Sequence, residues 1–506
     1  MANDITTYHN DPQRTGQNLH ETILTPLNVN VATFGKLFSM PVDGKIDGEP
    51  LYLEGVSIPN KGVHNVIYTA TENASAFAFD ADNGALLWQV SLLEPGETAA
   101  TAIELNCFAT TPLIGVTSTP VIDRTAGPNG TIYLVAMSQD MSGNYYHRLH
   151  ALDVTTGTEE FDGPTTVSAT FPNLGSGVTF VPEQYMERSA LLALDGTIYT
   201  TWTSHCDIKP YTGWIIGYSA TTLQQTQVLN ITPNGIQGAI WMGGGGMAAD
   251  NGNIFVLDGN GTFDTQLNGQ GFPSEGDYGN AFIKLSTARG QLQVEDYFTM
   301  SETEIESKKD IDLGSGGALV LPPMTDAKGI VRHLAVGAGK DTNIYLADTT
   351  NMGKFDPDND TIYQELDGVL PGGIYGAPAY FNGSLYYAPQ GYNMMQFTFS
   401  QALLNSTATS ITTAVYANPG ATPSVSANGS ENGIVWAIEH DKVHNILHAY
   451  DASNLQTELY NSYQAGTRDH FGWAGQFVPP LIVNGKVYIG GWTGVTVYGL
   501  LTGTSQ

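Results

Sequence analysis

Basic side chains are scarce in this chain of 506 residues, which has 19 Lys and Arg against 49 Asp and Glu. The formal charge of -30 repels phosphate backbones and anionic lipid headgroups, so we expect no nucleic-acid partner. Long apolar runs are also lacking, since none approaches the roughly 20 residues that a membrane-spanning helix requires. We therefore expect no insertion into a membrane.

Cysteine is limited to Cys107 and Cys206, which allow one disulfide or none and leave no Cys-x-x-Cys-His motif for covalent haem. Residues 1–4 lack the charged and apolar regions of a secretory signal, so the chain is either cytosolic or already processed. No linker or low-complexity tract divides the chain. This favours one large modular or repeat architecture over several separate cores.

What the chain does have is glycine, tyrosine and β-branched residues, with 58 Gly and 25 Tyr but only 13% charged residues. This composition is typical of short strands joined by tight turns and predicts an all-β fold. The stretch SAFAFDADNGALLWQV, from Ser75 to Val90, combines an alternating strand, an Asp, an Asn-Gly turn and a tryptophan. Related stretches start at Arg148 and Ile446, each with the Asp but without the tryptophan.

These stretches and the Gly-headed strands that precede them recur every ~50–65 residues, a period that indicates a β-propeller of four-stranded antiparallel blades. Eight inner strands are expected, with seven blades as the alternative count. The expected inner strands lie near Leu51, Val121, Leu191, Met247, Leu319, Ala379, Val425 and Leu481.

The last unit lacks an outer strand, while the segment Gly35–Val42 is a strand that precedes the first unit. We therefore predict that this N-terminal strand completes the last blade and closes the ring, which removes an exposed sheet edge. The predicted divisions are an N-terminal arm at 1–34, one propeller domain at 35–500 and a C-terminal tail at 501–506.

The segment AFDADNGALLW resembles the tryptophan-docking repeat of quinoprotein dehydrogenases, in which Asp and Gly shape the turn and Trp packs between blades. Segments such as SHCDIKPYTGWIIGY and DLGSGGALVLP are similar to uncharacterised bacterial PQQ-like propeller proteins. The resemblance covers nearly the whole chain. It implies a quinoprotein-like propeller, with PQQ and calcium as the cofactors to test.

In a propeller, the loops leading into the inner strands share one face with the loops between second and third strands. On this rim we expect charged and aromatic side chains from several blades to surround the channel mouth, as a polar pocket requires. The alternative is that they are solvated loop residues or partners between blades. The candidate catalytic residues are Glu49, Arg188, His205, Asp469 and His470, and the candidate cofactor-binding residues are Trp241, Lys340, Asp341 and Arg468.

Both cysteines fall in rim loops of adjacent blades, so we predict a disulfide between them, with two buried thiols as the alternative. On the opposite face, Asp356, Asp358 and Asp360 alternate in a way that suits oxygen ligation of calcium. Thr361 stands where an EF-hand loop needs glycine, and an acidic turn is the alternative.

Three functions follow from these observations. The first is an extracytoplasmic, secreted or periplasmic oxidoreductase that uses PQQ to oxidise an alcohol or a sugar at the channel mouth. The second is a propeller without cofactor that binds or cleaves an extracellular carbohydrate through rim aromatics. The third is a scaffold without chemistry, because fold alone does not determine function. For the first two functions, the expected partner is a small-molecule or carbohydrate substrate. We expect the protein to act on it as a monomer.

Overall fold

The computed structural model describes residues 3–108, 112–288, 290–440 and 445–501, and it confirms an all-β propeller of eight blades. Each blade is built on a sheet of antiparallel strands, and all eight predicted inner strands lie where the sequence placed them. Within the described ranges, the only α-helix is Thr303–Lys309, between blades 4 and 5.

Within each blade, the strands are arranged in order from the channel to the outer edge. Blade 1 contains Leu51–Ile58, Gly62–Thr71, Ser75–Asp80 and Leu86–Ser91. Blade 2 contains Val121–Asp123, Thr131–Asp140, Tyr145–Asp153 and Thr165–Thr166, with Glu97–Thr101 and Leu113–Ile114 on its inner side. Blade 3 contains Leu192–Leu194, Thr197–Ser204, Trp214–Ser219 and Gln225–Asn230, with Tyr185–Glu187 beside Leu192–Leu194. Blade 4 contains Ala248–Asp250, Asn253–Leu257, Phe282–Ser286 and Gln293–Phe298.

The second half of the ring repeats this order. Blade 5 contains Leu319–Val320, Leu334–Ala338, Ile344–Asp348 and Gln364–Leu366. Blade 6 contains Ala379–Phe381, Ser384–Tyr387, Tyr392–Ser400 and Ser410–Tyr416, with Leu403–Leu404 also on Tyr392–Ser400. Blade 7 contains Ser424–Asn428, Glu431–His440, Asn445–Asp451 and Glu458–Asn461. Blade 8 contains Leu481–Val483, Lys486–Gly490, Gly494–Leu500 and the N-terminal strand Phe34–Pro41. Two small hairpins project from the ring, at Thr170–Thr179 and Met324–Arg332.

The ring closes as predicted. Phe34–Pro41 pairs antiparallel with Gly494–Leu500, and Gly35 lies opposite Gly499. The strand that follows the arm and the last strand of the propeller therefore share one sheet, which gives blade 8 a full set of strands and joins the two ends of the ring. Of the predicted C-terminal tail at 501–506, all but Leu501 lies outside the described residues.

The recurring Asp explains the turns. Asp80 accepts hydrogen bonds from the backbone N–H groups of Asp82 and Asn83, at 2.8 and 3.2 Å, and Gly84 follows with φ 78°. An Asp carboxylate can bond the backbone two residues on and so replaces part of a backbone turn. Asp153, Asp348 and Asp451 make the same bond, to Thr155, Thr350 and Ser453.

Trp88 is the wedge between blades that its motif predicts. It is 8% exposed, and its indole N–H donates to the Val154 carbonyl of blade 2 at 3.0 Å. Gly157 allows the close approach, since a Cβ there would lie 2.8 Å from the Trp88 ring. The repeat therefore joins neighbouring blades through one aromatic ring, one hydrogen bond and one glycine.

The N-terminal arm runs through the channel and bonds to all eight blades. The arm pairs with blade 1 at Ile5 and Tyr52, and its carbonyls accept from inner-strand N–H groups of blades 2, 4, 5, 6 and 7. Arg14 reaches carbonyls of blades 3 and 4, and the Asn18 amide donates to the Ile482 carbonyl of blade 8. The accepting carbonyls belong to Thr6, Pro12, Gln13, Thr15 and Gly16.

Candidate functional site

A cavity of about 230 Å³ opens at the channel mouth, above the arm, and is smaller than the ~300–1,000 Å³ of sites for drug-sized ligands. Its walls come from loops that lead into the inner strands and from loops between second and third strands, as the rim argument predicts. The side chains that line it are Lys45, Asp47, Met186, Arg188, Asp207, Trp241, Asn260, Asp310, Asp312, Ser315, Lys340, Tyr375, Gln476 and Phe477.

The glycine run 243–246 shapes the cavity floor. Gly243 and Gly244 both have positive φ, and a Cβ at Gly244 would lie 2.7 Å from the Arg188 guanidinium. A Cβ at Gly246 would lie 2.7 Å from the guanidinium of Arg14, which belongs to the arm. The run therefore passes from the cavity down to the arm, and side chains pack closely on it from both sides.

Lys340 holds two carboxylates at one wall. Its ammonium lies 2.6 Å from Asp310 Oδ1 and 2.8 Å from Asp312 Oδ1. Although burial opposes the charge, Asp312 and then Asp310 raise the pKa of Lys340 above its ordinary value, so it stays protonated. Asp312 is 1% exposed, and burial raises its pKa although Lys340 pulls it down. A buried carboxylate with a raised pKa beside a fixed cation is suited to general-base work.

Asn260 completes this wall. Its amide Nδ2 donates to Asp310 Oδ1 at 2.6 Å. The amide oxygen Oδ1 is buried and has no hydrogen-bond partner in the described parts of the chain. A buried acceptor without a donor favours a polar ligand or an ordered water at this point.

Arg188 is the third cation of the cavity lining, beside Lys45 and Lys340. It is 7% exposed, donates to the Thr117 carbonyl at 2.8 Å and lies 5.1 Å over the Phe477 ring. Burial raises the pKa of the adjacent Glu187 well above its usual value, although Arg188 opposes this rise. Among the described residues Arg188 forms no ion pair with a carboxylate, and its guanidinium is therefore suited to hold an anionic group.

The opposite wall is electrostatically balanced. The Lys45 ammonium lies 2.9 Å from Asp47 and 3.1 Å from Glu72. Against the effect of burial, Lys45 lowers the pKa of Asp47. Burial and the charge of Asp47 raise the pKa of Glu72 to about 9. One positive and one negative charge therefore remain here, which leaves Arg188 as the side chain that attracts an anion.

Of the nine candidate catalytic and cofactor-binding residues, three line the cavity: Arg188, Trp241 and Lys340. Arg468 and Asp469 lie outside the cavity, where they hydrogen-bond to the backbone of the N-terminal strand that closes the ring. The Asp469 carboxylate is bonded by the Arg468 guanidinium, by Tyr460 OH at 2.8 Å and by Lys36 N at 3.1 Å, on the closing strand. Although burial opposes it, Arg468 lowers the pKa of Asp469, and the carboxylate has no free lone pair directed at a substrate.

His470, Glu49 and Asp341 are also placed away from the cavity lining. His470 stacks on Tyr463 at a ring distance of 4.1 Å. Glu49 accepts the backbone N–H of His9 in the arm at 2.8 Å, and burial raises its pKa to about 8. Asp341 accepts from Tyr345 OH at 2.6 Å, and burial raises its pKa to about 6.

The predicted disulfide between Cys107 and Cys206 is formed, with a Cα–Cα distance of 5.3 Å. It joins the approach to blade 2 with the rim loop of blade 3. His205 lies buried beside it, where burial lowers its pKa to about 4, while the next rim residue, Asp207, lines the cavity. The disulfide thus fixes the loop that carries Asp207, and His205 stays neutral at pH 7.

The calcium ligands proposed on the opposite face do not converge. Asp356 accepts the backbone N–H of Asp358 within its own turn, and Asp360 accepts that of Ser301 at 2.6 Å. Across the described ranges, no three His, Cys, Asp or Glu side chains are grouped so that they could hold a metal ion. The geometry is that of the alternative, an acidic turn that docks on a neighbouring segment.

The lining residues that were not predicted from the sequence include Asn260, Asp310, Gln476 and Phe477. Asn260 follows the second strand of blade 4 in an Asn-Gly pair, which is typical of an ordinary turn. Asp310 ends the helix Thr303–Lys309 in a left-handed conformation, φ 59°. A signal did exist for Asn260, because the loops between second and third strands belong to the rim.

No protein-family model and no curated protein sequence matches the chain. Among solved structures, the quinohemoprotein alcohol dehydrogenase of Comamonas testosteroni superposes with a TM-score of 0.64 at 14% identity, over 100% of this chain and 81% of that one. A quinohemoprotein alcohol dehydrogenase of Pseudomonas putida HK5 gives 0.63 at 13% identity, over 100% and 81%. A europium-containing methanol dehydrogenase gives 0.50 at 13%, over 96% and 81%. The chain therefore has the quinoprotein-like propeller fold that its repeats predict. No helix in the described residues has the length and apolarity to cross a membrane.

Proposed function

We propose that this protein is a quinoprotein-like oxidoreductase that oxidises an alcohol or a sugar at the channel mouth, with PQQ as its cofactor. The observation that carries the proposal is one cavity lined by the Arg188 guanidinium, which has no ion pair among the described residues, by the Trp241 indole and by the buried base Asp312. A cation and an aromatic surface suit a planar anionic group, and a base suits a hydroxyl substrate.

The residues of the cavity suit one of the two cofactors that the fold suggests. For PQQ, Arg188 offers charge to a carboxylate and Trp241 offers a flat surface, so the residues fit. For calcium they do not, because Asp310 and Asp312 already hold the Lys340 ammonium and, among the described residues, no three acidic side chains are grouped to hold a metal ion. We therefore derive no step through a metal ion.

The roles of the protein's own side chains follow from this arrangement. A quinone bound here supplies the two-electron acceptor for the substrate carbon. Arg188 and Trp241 bind and orient it. Asp312 accepts the proton of the substrate hydroxyl at its carboxylate, and Lys340 keeps that carboxylate in place and stabilises its charge before the transfer. Because Asp312 must be ionised and its pKa is raised, turnover should decline on acidification at a pH above the ordinary Asp value of about 3.9.

Three further parts of the proposal concern the setting. We place the protein in a secreted or periplasmic location, which the Cys107–Cys206 disulfide supports because such bonds persist in oxidising compartments. With just two cysteines, both in that disulfide, the chain has no Cys-x-x-Cys-His haem site, so a separate electron acceptor is required. We propose that the protein acts as a monomer on a small-molecule or carbohydrate substrate.

The test is a titration of the purified protein with PQQ, with and without calcium, followed by quinone absorbance. We expect saturable binding without added calcium and at least tenfold weaker binding by Arg188→Met. Arg332→Met is the matched control, because Arg332 pairs with Asp326 and Asp348 far along blade 5 from the cavity lining. Asp312→Asn should still bind PQQ but lose dye reduction with alcohols and sugars. The absence of saturable binding by the unmodified protein under both conditions would refute the proposal.

A further inference from the structure

Two tryptophans at the lip of the cavity are exposed. The chain has seven, and Trp473 and Trp492 are 45% and 44% exposed, whereas the other five are buried or half-buried. Their ring centroids lie 6.3 Å apart at an interplanar angle of 42°. An exposed pair of the largest aromatic side chain, concentrated at one place on the surface, is typical of a binding surface.

The pair is continuous with the cavity. Gln476 and Phe477, which line it, follow Trp473 in the same loop, and the Lys45 ammonium, another lining group, lies 5.9 Å from the centre of the Trp492 ring. A ligand resting on the two rings is therefore within reach of the polar cavity groups at Lys45 and Gln476. The rings lie on the rim face through which a substrate must pass.

The backbone holds both rings in a fixed arrangement. Trp492 N donates to the Trp473 carbonyl at 2.9 Å, and Ala474 pairs with Gly491. Gly491 in turn accepts from Ile46 N, which joins this loop to the segment that carries Lys45. Because the rings are already held in place, a ligand that stacks here costs little conformational entropy of the protein. Most of the stacking energy is therefore available for binding.

We propose that Trp473 and Trp492 form a saccharide-binding platform that delivers the sugar ring of the substrate to the cavity. A pyranose ring has an apolar C–H face that packs on indole. Its hydroxyl groups suit hydrogen bonds with Gln476, Asp47 and Lys45. Two tilted rings match a curved face better than a flat planar molecule. Lys45, the cation beside Trp492, is already paired with Asp47 and Glu72, so the two rings favour a neutral sugar over an anionic ligand.

This inference rests on the proposed function only for the identity of the substrate, because binding on the platform needs no quinone. The probes are D-glucose, D-xylose, cellobiose and maltose, titrated by tryptophan fluorescence and calorimetry without PQQ. We expect saturable binding of at least one sugar and about tenfold weaker binding by Trp473→Ala and by Trp492→Ala. Trp473→Phe should keep most of the affinity, because a ring remains.

One control variant and three possible results test the platform. Tyr392→Ala, which removes an equally exposed aromatic ring on blade 6, should leave sugar binding unchanged, and far-ultraviolet circular dichroism should show all variants folded. Sugar binding that is lost in the tryptophan variants supports the platform even if PQQ does not bind. Dye reduction with 1-propanol but no sugar binding would overturn the platform and leave the oxidoreductase. Self-association that the tryptophan variants abolish would identify a protein contact and also overturn it.

Discussion

Substituting Arg14 by Met tests whether the arm is what holds the eight blades around the channel. Arg14 has no exposed surface, and its guanidinium donates to the carbonyls of Met247, Tyr8 and Leu191 and to Thr7 Oγ1, at 2.5 to 3.2 Å. Burial lowers its pKa to about 10, which still leaves the side chain charged near pH 7. Methionine keeps much of the volume but provides no donor.

The cost follows from these contacts. Four buried acceptors lose their donor, each at about 1–3 kcal/mol. Removal of a buried charge without an ionic partner returns several kcal/mol of desolvation. The net loss we expect is about 4 kcal/mol. With an unfolding entropy of about 2.1 cal/mol/K per residue, or about 1.1 kcal/mol/K for 506 residues, this lowers Tm by about 4 °C.

Calorimetry at pH 7 measures the shift, and hydrogen exchange locates it. We expect the backbone N–H groups that bond to the arm, at Ile122, Ala249, Val320, Tyr380 and Val425, to lose protection together. The control is Arg332→Met, which breaks partly exposed ion pairs and should change Tm by less than about 1 °C. A Tm for Arg14→Met within that same margin, with exchange unchanged, would refute the view that the arm stabilises the ring.

Three other outcomes are expected from the fold. Trp88→Ala should lower the free energy of unfolding by about 3–5 kcal/mol, because it opens a cavity between blades 1 and 2. Trp88→Phe should lower it less, because it loses chiefly the hydrogen bond to the Val154 carbonyl. Denaturant titration measures both changes. Replacing Cys107 and Cys206 together by Ser should lower Tm by up to about 4 °C, because the bridge closes a loop of 99 residues, worth up to about 4.7 kcal/mol in the chain-entropy model. An unchanged Tm of this variant, together with a Tm of the unmodified protein that does not respond to reductant, would contradict this. His448 lies between Glu439 and Glu458, which raise its pKa although burial opposes them. The stabilisation by these ion pairs is therefore full below about pH 6.5, the ordinary pKa of His, and is lost as the pH rises through the pKa of His448 in the folded state. The decrease in Tm caused by His448→Gln should therefore become smaller from about pH 5.5 to pH 9, as calorimetry can measure.

The fold could be predicted because each level of the sequence pattern agrees with the next. Alternating strands, an Asp that bonds the turn and a glycine at positive φ recur in several blades, and the predicted closing strand 35–42 differs from the observed Phe34–Pro41 by one residue at each end. Trp88 also contacts the neighbouring blade as expected. These features depend on local chemistry and on a fixed period, both of which are visible in one sequence.

The site was predicted less well, because position in a rim loop does not determine where a side chain points. Arg188 and Trp241 precede inner strands and face the cavity. Asp469 also precedes an inner strand, but the turn Gly466–Asp469 directs it to Lys36 on the closing strand, and the later part of the same loop, at Gln476 and Phe477, reaches the cavity instead. That choice depends on contacts between distant segments, which a pattern of residue types does not record.

The arm also determines how a ligand reaches the cavity. Tyr8 packs with Ala190 and Ala377 in the channel, and a Cβ at Gly245 would lie 3.6 Å from its ring, so the arm lies directly under the cavity floor. Entry from the far end of the channel would require the arm to leave its bonds to all eight blades. A substrate must therefore approach Asp312 from the rim, either over Trp473 and Trp492 or along the adjoining groove.

That groove has a volume of about 630 Å³ and shares Asp207, Asn260 and Asp310 with the cavity. Its other walls are largely polar, with Lys209 and Lys308 among them, and it offers space for the part of a substrate that does not react. A small alcohol would use neither the groove nor the two tryptophans. Since binding energy from the non-reacting part of a substrate can be used for positioning, this geometry favours a saccharide longer than one ring, and catalytic efficiency should rise from glucose to a disaccharide.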